Sequence, residues 1–361
     1  MPGVYISYPF CAQKCTYCNF ASGVFPRDLE AQYLAALLAD LRTSAWPWTP
    51  ETIYLGGGTP SQMDPSALSE LLSAIPGSPW LEATIEAAPG SITREKSESW
   101  TRSGINRVSL GVQSFITQEL SRTGRKHTAQ TVANDVATLR HAGLTNINLD
   151  LIAGLPFQTR DTWNESLDHI ERLAPPHVSL YMLEVDDDSN LGRELRVLGS
   201  RYGAGAVPSD DDIADFYEAA VERLARIGIH RYEISNFAKP GFESRHNLKY
   251  WRRGSYLGFG ADAHSFDAES RWQNPESPAE YVERATLERT PADPVAERFF
   301  LGLRLTEGIE PPFSPFEPTI RQFIADGLLE MSGARVRLTP RGVMLSNEVF
   351  AEFVGAPVCP A

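Results

Sequence analysis

Six short and nearly uninterrupted apolar runs, at residues 4–8, 52–55, 83–87, 107–112, 147–152 and 178–183, alternate with amphipathic stretches along the first two thirds of the chain. Runs of this length, rich in β-branched and aromatic residues, read as strands. Between the first two, Leu29, Tyr33, Leu37, Leu38 and Leu41 recur at helical spacing. Val132, Val136 and Leu139 form a second stripe, which Gly143 ends. Further helical patterns cover 66–75, 93–103 and 160–173. Strands that are apolar throughout and separated by helices predict a parallel sheet covered by helices. Right-handed crossovers then leave a doubly wound sheet or a barrel, complete or partial.

Beyond the sixth strand lies a polar stretch, 186–212, containing Asp186, Asp187, Asp188 and Asp210, Asp211, Asp212. It reads as a solvated loop running into a helix of about 210–227 with Ser209 as its cap. A β-like run, 231–237, follows, and the Pro-rich stretch 275–294 reads as a linker. The tail has helical patterns at 296–305 and 319–327 and a hairpin pattern at 328–339. Helix, helix and ribbon resemble a winged-helix module, but without a basic recognition helix. The expected organisation is a core, 1–185, an extension completing it, 186–274, the linker 275–294 and a C-terminal winged-helix-like domain, 295–361.

Composition narrows the function. The 361 residues carry 33 Lys and Arg against 46 Asp and Glu, a net charge of −13, so no nucleic-acid partner is expected. A hydrophobic share of 42% with 22% charged residues argues for a globular fold. No apolar run approaches the roughly 18 residues of a membrane span, and the start, MPGVYISYPF, has no signal-peptide pattern. The expectation is a cytoplasmic protein. Three of the four cysteines, Cys11, Cys15 and Cys18, are clustered, and Cys359 stands apart. A disulfide framework is dispersed, so clustered thiols point to a metal or to redox chemistry.

Those three thiols follow the first strand as Cys11-Ala-Gln-Lys-Cys15-Thr-Tyr-Cys18. A structural zinc wants four ligands, and no fourth Cys or His lies near. A thioredoxin-like pair would leave Cys11 idle. Three thiolates in one loop suit a 4Fe–4S cluster with one iron open to an outside ligand. The C-x3-C-x2-C spacing in this position resembles the radical SAM superfamily. There, S-adenosylmethionine (SAM) chelates the open iron and is cleaved by an electron from the reduced cluster. The resemblance implies a partial (β/α)6 barrel, a 4Fe–4S cluster, SAM, and an electron donor such as flavodoxin.

Gly56-Gly57-Gly58-Thr59-Pro60 follows the second strand. Three glycines make a flexible turn or let a ligand approach the backbone. Within the superfamily the run resembles the GGE-type motif that meets the amino group of SAM, and GGGTP resembles the coproporphyrinogen oxidase-like branch. In parallel barrels the carboxyl ends of strands build the site. Those ends carry the Cys loop, the Gly run, Glu86, Gln113, Asp150, and Tyr181 with Glu184. Arg125, in Thr-Gly-Arg-Lys-His, follows the fourth strand and could pair with a carboxylate. Through IEAAPGSIT, INRVSLGVQSF, TGRKH, LDLIAGLP and YEISNFA the first 266 residues resemble two related families. One is the oxygen-independent coproporphyrinogen III oxidases; the other is the heme chaperones of the HemW type. The resemblance implies that Cys11, Cys15 and Cys18 hold the cluster and that Tyr5, Gly57 and Glu86 contact the catalytic SAM. Tyr17, Gly58, Thr59, Gln113, Arg125 and Asp150 match contacts to a second SAM in the oxidase. His264 matches a region near the methionyl group.

Two features separate the families. The oxidase has a further Cys where this chain has Phe20, and an extension before the cluster loop, whereas the first strand here begins at about residue 4. By contrast His246-Asn247-Leu248-Lys249-Tyr250-Trp251 resembles the HNxxYW motif of the chaperones. Imidazole ligates heme iron and flat rings suit a porphyrin, so His246 is the candidate heme ligand; the alternative is a hydrogen-bonded structural histidine. Leu257-Gly258-Phe259-Gly260 lies outside any strand–helix unit fit for a dinucleotide. The expectation is a heme chaperone with a SAM-bound cluster, whose cargo passes to acceptor hemoproteins at a membrane surface. No catalytic side chain is assigned, and SAM cleavage stays open. The alternative is the oxidase itself, converting coproporphyrinogen III to protoporphyrinogen IX; a cluster-bearing structural module ranks third.

Overall fold

The computed structural model describes residues 1–18, 20–187, 189–284 and 287–354. Six strands, β1 (Gly3–Tyr8), β2 (Thr52–Gly57), β3 (Glu82–Ala87), β4 (Arg107–Gln113), β5 (Asn146–Ala153) and β6 (His177–Met182), lie parallel and in sequence order. Each meets its successor through a helical crossover, as the alternating pattern predicts. The helix Arg27–Thr43 turns Tyr33, Leu37 and Leu41 onto the sheet, three of the five positions of the stripe read from sequence. Thr128 and Thr159 start the helices Ala129–His141 and Arg160–Leu173 with reciprocal caps, and Ser209 does the same for Asp210–Arg226.

The barrel does not close. Beyond β6 the sheet continues antiparallel into β7 (His230–Arg231) and β8 (Asn236–Ala238), with β8 paired to β6. On the other edge β9 (Tyr256–Phe259) runs parallel to β1, and β10 (His264–Phe266), β11 (Ser270–Gln273) and β12 (Arg289–Pro291) follow antiparallel. The result is an open 12-stranded sheet whose parallel centre is the partial barrel.

Three stretches differ from their sequence reading. The run 231–237 is a tight hairpin rather than a strand, because the Glu233 carboxylate accepts from the Ser235 N–H and from Asn236 and so folds the chain back. The stretch 186–212 is not all loop. Ser189 caps a helix, Asn190–Arg196, whose Leu191 is buried. Asp188 lies outside the described residues. The expected linker 275–294 carries the helix Pro278–Glu283, started by Ser277 and a proline at its first turn, and strand β12. Tyr281 from that helix is buried and donates to Asp40 Oδ2 at 2.6 Å, binding the stretch to the core.

The tail forms the helices Pro294–Gly302 and Glu317–Ala325, the hairpin β13 (Leu329–Ser332) and β14 (Arg335–Leu338), and two short helices, Pro340–Met344 and Ser346–Ala351. Phe299, Phe316 and Phe353 pack ring to ring at its centre, with centroids 4.8 to 5.2 Å apart. The Thr306 N–H donates to Tyr232 O at 3.0 Å, and Leu305 bridges Glu233, which seats this unit beside the β7–β8 hairpin.

Candidate functional site

The Cys loop leaves β1 and is closed at its neck. Cys11 N–H donates to Gly23 O at 2.8 Å and Gly23 N–H to Pro9 O at 2.9 Å. Two outer elements grip the loop between them: Thr16 N–H donates to Thr123 O at 3.3 Å, and Leu191 N–H donates to Thr16 O at 2.9 Å. Cys11, Cys15 and Cys18 are free thiols, each half-buried. Burial pushes the Cys11 thiol up, Thr59 and Ser22 oppose the shift, and the neighbouring thiols add to it. A bound cation would reverse that balance. Among the described residues no three metal-ligating side chains converge on one ion. A cubane asks for less, since each thiolate binds a different iron.

The Gly run presses against the neck of that loop. Gly58 N–H donates to Tyr8 O at 2.8 Å and Thr59 N–H to Phe10 O at 3.0 Å. A Cβ on Gly58 would stand 2.8 Å from the backbone of Tyr8, Pro9 and Phe10. Gly57 has φ +103°, open to glycine at little cost. Thr59 reaches the Cys11 Sγ at 3.6 Å, so the turn that follows β2 touches a thiol directly.

Further round the rim, Tyr54 donates to Glu86 Oε1 at 2.9 Å. Burial, then the Asp150 charge, push the Glu86 carboxyl up to about 7, against the donors Tyr54 and Gly57 N–H. Asp150 accepts from Asn148 at 2.6 Å and faces Ser109, and burial raises its pKa too. Tyr5 stacks on Tyr54 with ring centroids 6.1 Å apart. Arg125 donates to Gly111 O at 2.7 Å. Burial alone would lower its pKa, but Tyr17, Cys15 and Asp150 raise it, so it stays charged. Gln113 is held at φ +66°. Tyr17 Oη, Gln113 Oε1 and Arg125 Nε are all buried without a hydrogen-bond partner among the described residues. Buried polar atoms of this kind are rare, and three on one rim are what a polar ligand would satisfy. Tyr181 is half-exposed, Glu184 accepts from Asn347 of the C-terminal unit at 3.4 Å, and His264 is exposed at the start of β10.

His246 is not part of this rim. The helix Arg245–Trp251 docks under the opposite end of the sheet, where the Arg245 and His246 N–H groups donate to the Glu82 carboxylate at 2.9 Å each. His246 Nδ1 pairs with Thr52 Oγ1 at 3.0 Å, and Nε2 pairs with Tyr250 Oη at 2.8 Å and Lys249 Nζ at 3.2 Å. Only 1% of the residue is exposed, so neither ring nitrogen is free for iron. Burial, with the Lys249 and Arg107 charges, holds His246 neutral. In this structure the imidazole that the motif offers as a heme ligand is a buried, hydrogen-bonded group at the amino ends of β2 and β3.

The sequence reading also missed the polar face inside the barrel. Asn148 donates to Ser109 at 2.8 Å and Ser179 at 2.9 Å, and pairs with His177 at 2.6 Å. His177 continues to Tyr232, and Ser179 to Asn236. The signal was present as alternation at every second position: Glu82, Thr84, Glu86; Arg107, Ser109; Asn148, Asp150; His177, Ser179.

Comparison with known proteins agrees with this geometry. Residues 5–170 match the radical SAM superfamily and residues 290–345 the HemN C-terminal domain. Heme chaperone HemW of Lactococcus lactis is 35% identical over 97% of this chain and 96% of its own length. That of Bacillus subtilis is 34% identical over 98% and 100%, and that of Escherichia coli 34% over 87% and 80%. Coproporphyrinogen III oxidase (HemN) from Escherichia coli shares the fold, with a TM-score of 0.81 over 98% of this chain and 90% of that one at 20% identity. Fold and rim together define a radical SAM protein. Within that class the chain belongs to the heme chaperone HemW family. The superfamily implies a 4Fe–4S cluster and SAM, and the rim fits both: three free thiols on one necked loop, and three unpartnered polar atoms beside them.

Proposed function

We propose that the chain is a heme chaperone that carries a 4Fe–4S cluster and SAM, binds heme as cargo and passes it to acceptor hemoproteins. The observation that supports this most is the rim: three thiols beside Glu86 and Arg125, in a chain similar to heme chaperones along nearly its whole length. Cys11, Cys15 and Cys18 would hold the cluster. When bound, cluster and SAM supply one-electron cleavage of the sulfonium. Glu86, which accepts from Tyr54, would hold the methionyl ammonium beside Gly57 and Tyr5. Arg125 presents a fixed positive charge to a carboxylate, and Asp150 an acceptor to hydroxyls. Tyr17, Gln113, Gly58 and Thr59 complete the wall on the side where a second SAM matches in the oxidase. A small electron donor such as flavodoxin, a cytoplasmic location and acceptors at a membrane belong to the same reading. Among the described residues no helix is long and apolar enough to cross a membrane.

The second reading is the oxidase, whose fold the chain shares. Phe20, 65% exposed, stands where that family has its further Cys. Anaerobically reconstituted protein distinguishes the two. A saturable heme complex with no turnover of coproporphyrinogen III is the expected result. Decarboxylation of coproporphyrinogen III would move the chain to the oxidase reading.

A further inference from the structure

Strand β4 carries one residue too many against β5 at its carboxyl end: Leu110 pairs with Leu149, but Gln113 pairs with Leu151. A bulge of this kind bends its strand and re-aims a side chain, and bulges gather beside functional sites. The two carbonyls inside it are taken up by one loop, Arg125-Lys126-His127. Arg125 Nη1 donates to Gly111 O at 2.7 Å, and His127 Nε2 pairs with Val112 O at 3.0 Å. A carbonyl only accepts, so Nε2 carries the proton. Burial, then the Arg125 charge, push the His127 pKa down to about 4, so the ring is neutral and this is its one N–H.

The same carbonyl closes a tighter turn. Ser114 N–H donates to Val112 O at 2.8 Å, with Gln113 between them at φ +66°. A three-residue turn of this sense is rare and strained. On its far side Ser114 Oγ donates to the fully buried Glu119 at 2.6 Å. Strain of this kind persists where the surroundings over-determine it, and it clusters at functional sites. Here it aims Gln113, a half-buried rim residue whose Oε1 has no hydrogen-bond partner among the described residues. The amide lies over Gly111 next to Arg125. A Cβ on Gly111 would stand 3.2 Å from Gln113 Nε2 and 3.6 Å from Arg125 Nη1.

We propose that His127 is a positioning residue of this rim: its N–H on Val112 O holds the strained turn and so sets the Gln113 amide beside Arg125, facing a polar group of bound SAM. The inference rests on the SAM reading of the rim, and His127 itself touches no ligand. Without that N–H, Gln113 relaxes toward ordinary extended backbone and its amide leaves Arg125.

Calorimetric titration of the anaerobically reconstituted full chain with SAM tests it. Wild type should bind SAM saturably. His127→Leu, which removes the donor, should weaken binding about tenfold. His127→Gln, which restores an N–H at similar reach, should stay within about threefold of wild type. Gln113→Gly, at home at positive φ, should melt no lower than wild type yet lose as much affinity as His127→Leu. In that glycine background His127→Leu should cost no further affinity, because no side chain is left to position. A His127→Leu isotherm matching wild type, a His127→Gln variant as weak as His127→Leu, or losses that add in the double variant would overturn the proposal. So would a Gln113→Gly variant that melts below wild type or keeps wild-type affinity, a result that stands even where His127→Leu does not fold. Wild type that binds no SAM would overturn the SAM reading itself, and this inference with it.

Discussion

Tyr54 donates its hydroxyl to Glu86 Oε1 at 2.9 Å while its ring lies 5.3 Å from that of His246. One side chain in the middle of β2 thus touches both the carboxylate at the rim and the imidazole beneath the sheet. The barrel interior is a continuous polar and aromatic column, and the charge state of Glu86 is set within it.

That charge state gives a pH signature. Glu86 titrates at about 7 in the folded protein, well above the ordinary range of a glutamate in an unfolded chain. Between about pH 4.5 and 7 the folded protein keeps a proton that the unfolded chain has lost. The contribution of Glu86 to stability is therefore greatest at low pH and is lost as pH rises toward 7. Asp135, raised by burial to about 6, acts in the same sense, and the neutral buried His127, His177 and His246 act in the opposite one. The difference between Glu86→Gln and wild type isolates the one group. Denaturant titrations from pH 5 to 8 should show the variant gaining on wild type by up to about 1.4 kcal/mol per pH unit, then levelling above pH 7. A difference that stays flat across this range contradicts the assignment.

Substituting Cys11, Cys15 or Cys18 by Ala should abolish bound iron and the broad visible absorption after anaerobic reconstitution. Cys359→Ala, at a position outside the described residues, should leave iron content unchanged. Full iron loading of the triple variant, or zinc in place of iron in the wild type, would remove the cluster from the account.

Gly58→Ala tests the neck of the loop. The added methyl would lie 2.8 Å from three backbone atoms, none of which can swing aside as a side-chain tip could. A cost of about 1–3 kcal/mol in stability is expected, together with faster loss of iron on dilution into chelator. Unchanged stability and iron retention would show that the Gly run after β2 does not brace the Cys loop.

Thr52 and His246 are 194 positions apart and hydrogen-bonded at 3.0 Å inside the fold. Thr52→Val should cost about 1 kcal/mol and His246→Phe more, since the latter strands Tyr250 and Lys249 as well. A double-mutant cycle should give a coupling of about 1 kcal/mol. Strict additivity would mean that the motif helix is not anchored through this pair.

Much of the site was legible because its chemistry is local. Cys11, Cys15 and Cys18 lie on one loop, and their spacing survives any tertiary arrangement. The glycines beside them can be read as a close approach without knowing what approaches: here it is the backbone of Tyr8, Pro9 and Phe10 rather than a ligand alone. The parallel core was equally plain, since short β-rich runs alternate with amphipathic helices, although the helices cover one face of the strands and the other turns Ser109, Asn148 and Ser179 into the barrel. The stretch 275–294 misled because proline breaks a helix interior yet starts one well, and Pro278 does the latter.

Strand and helix period, the three-thiol loop and the order of rim residues were determined by the chain alone, because each depends on neighbours a few positions apart. The tertiary structure alone decided that His246 faces Thr52 and Glu82 rather than open space, and that the barrel interior is polar. Those facts rest on pairs tens to hundreds of residues apart, where a side chain's role depends on which group the fold sets against it and whether water can still reach it.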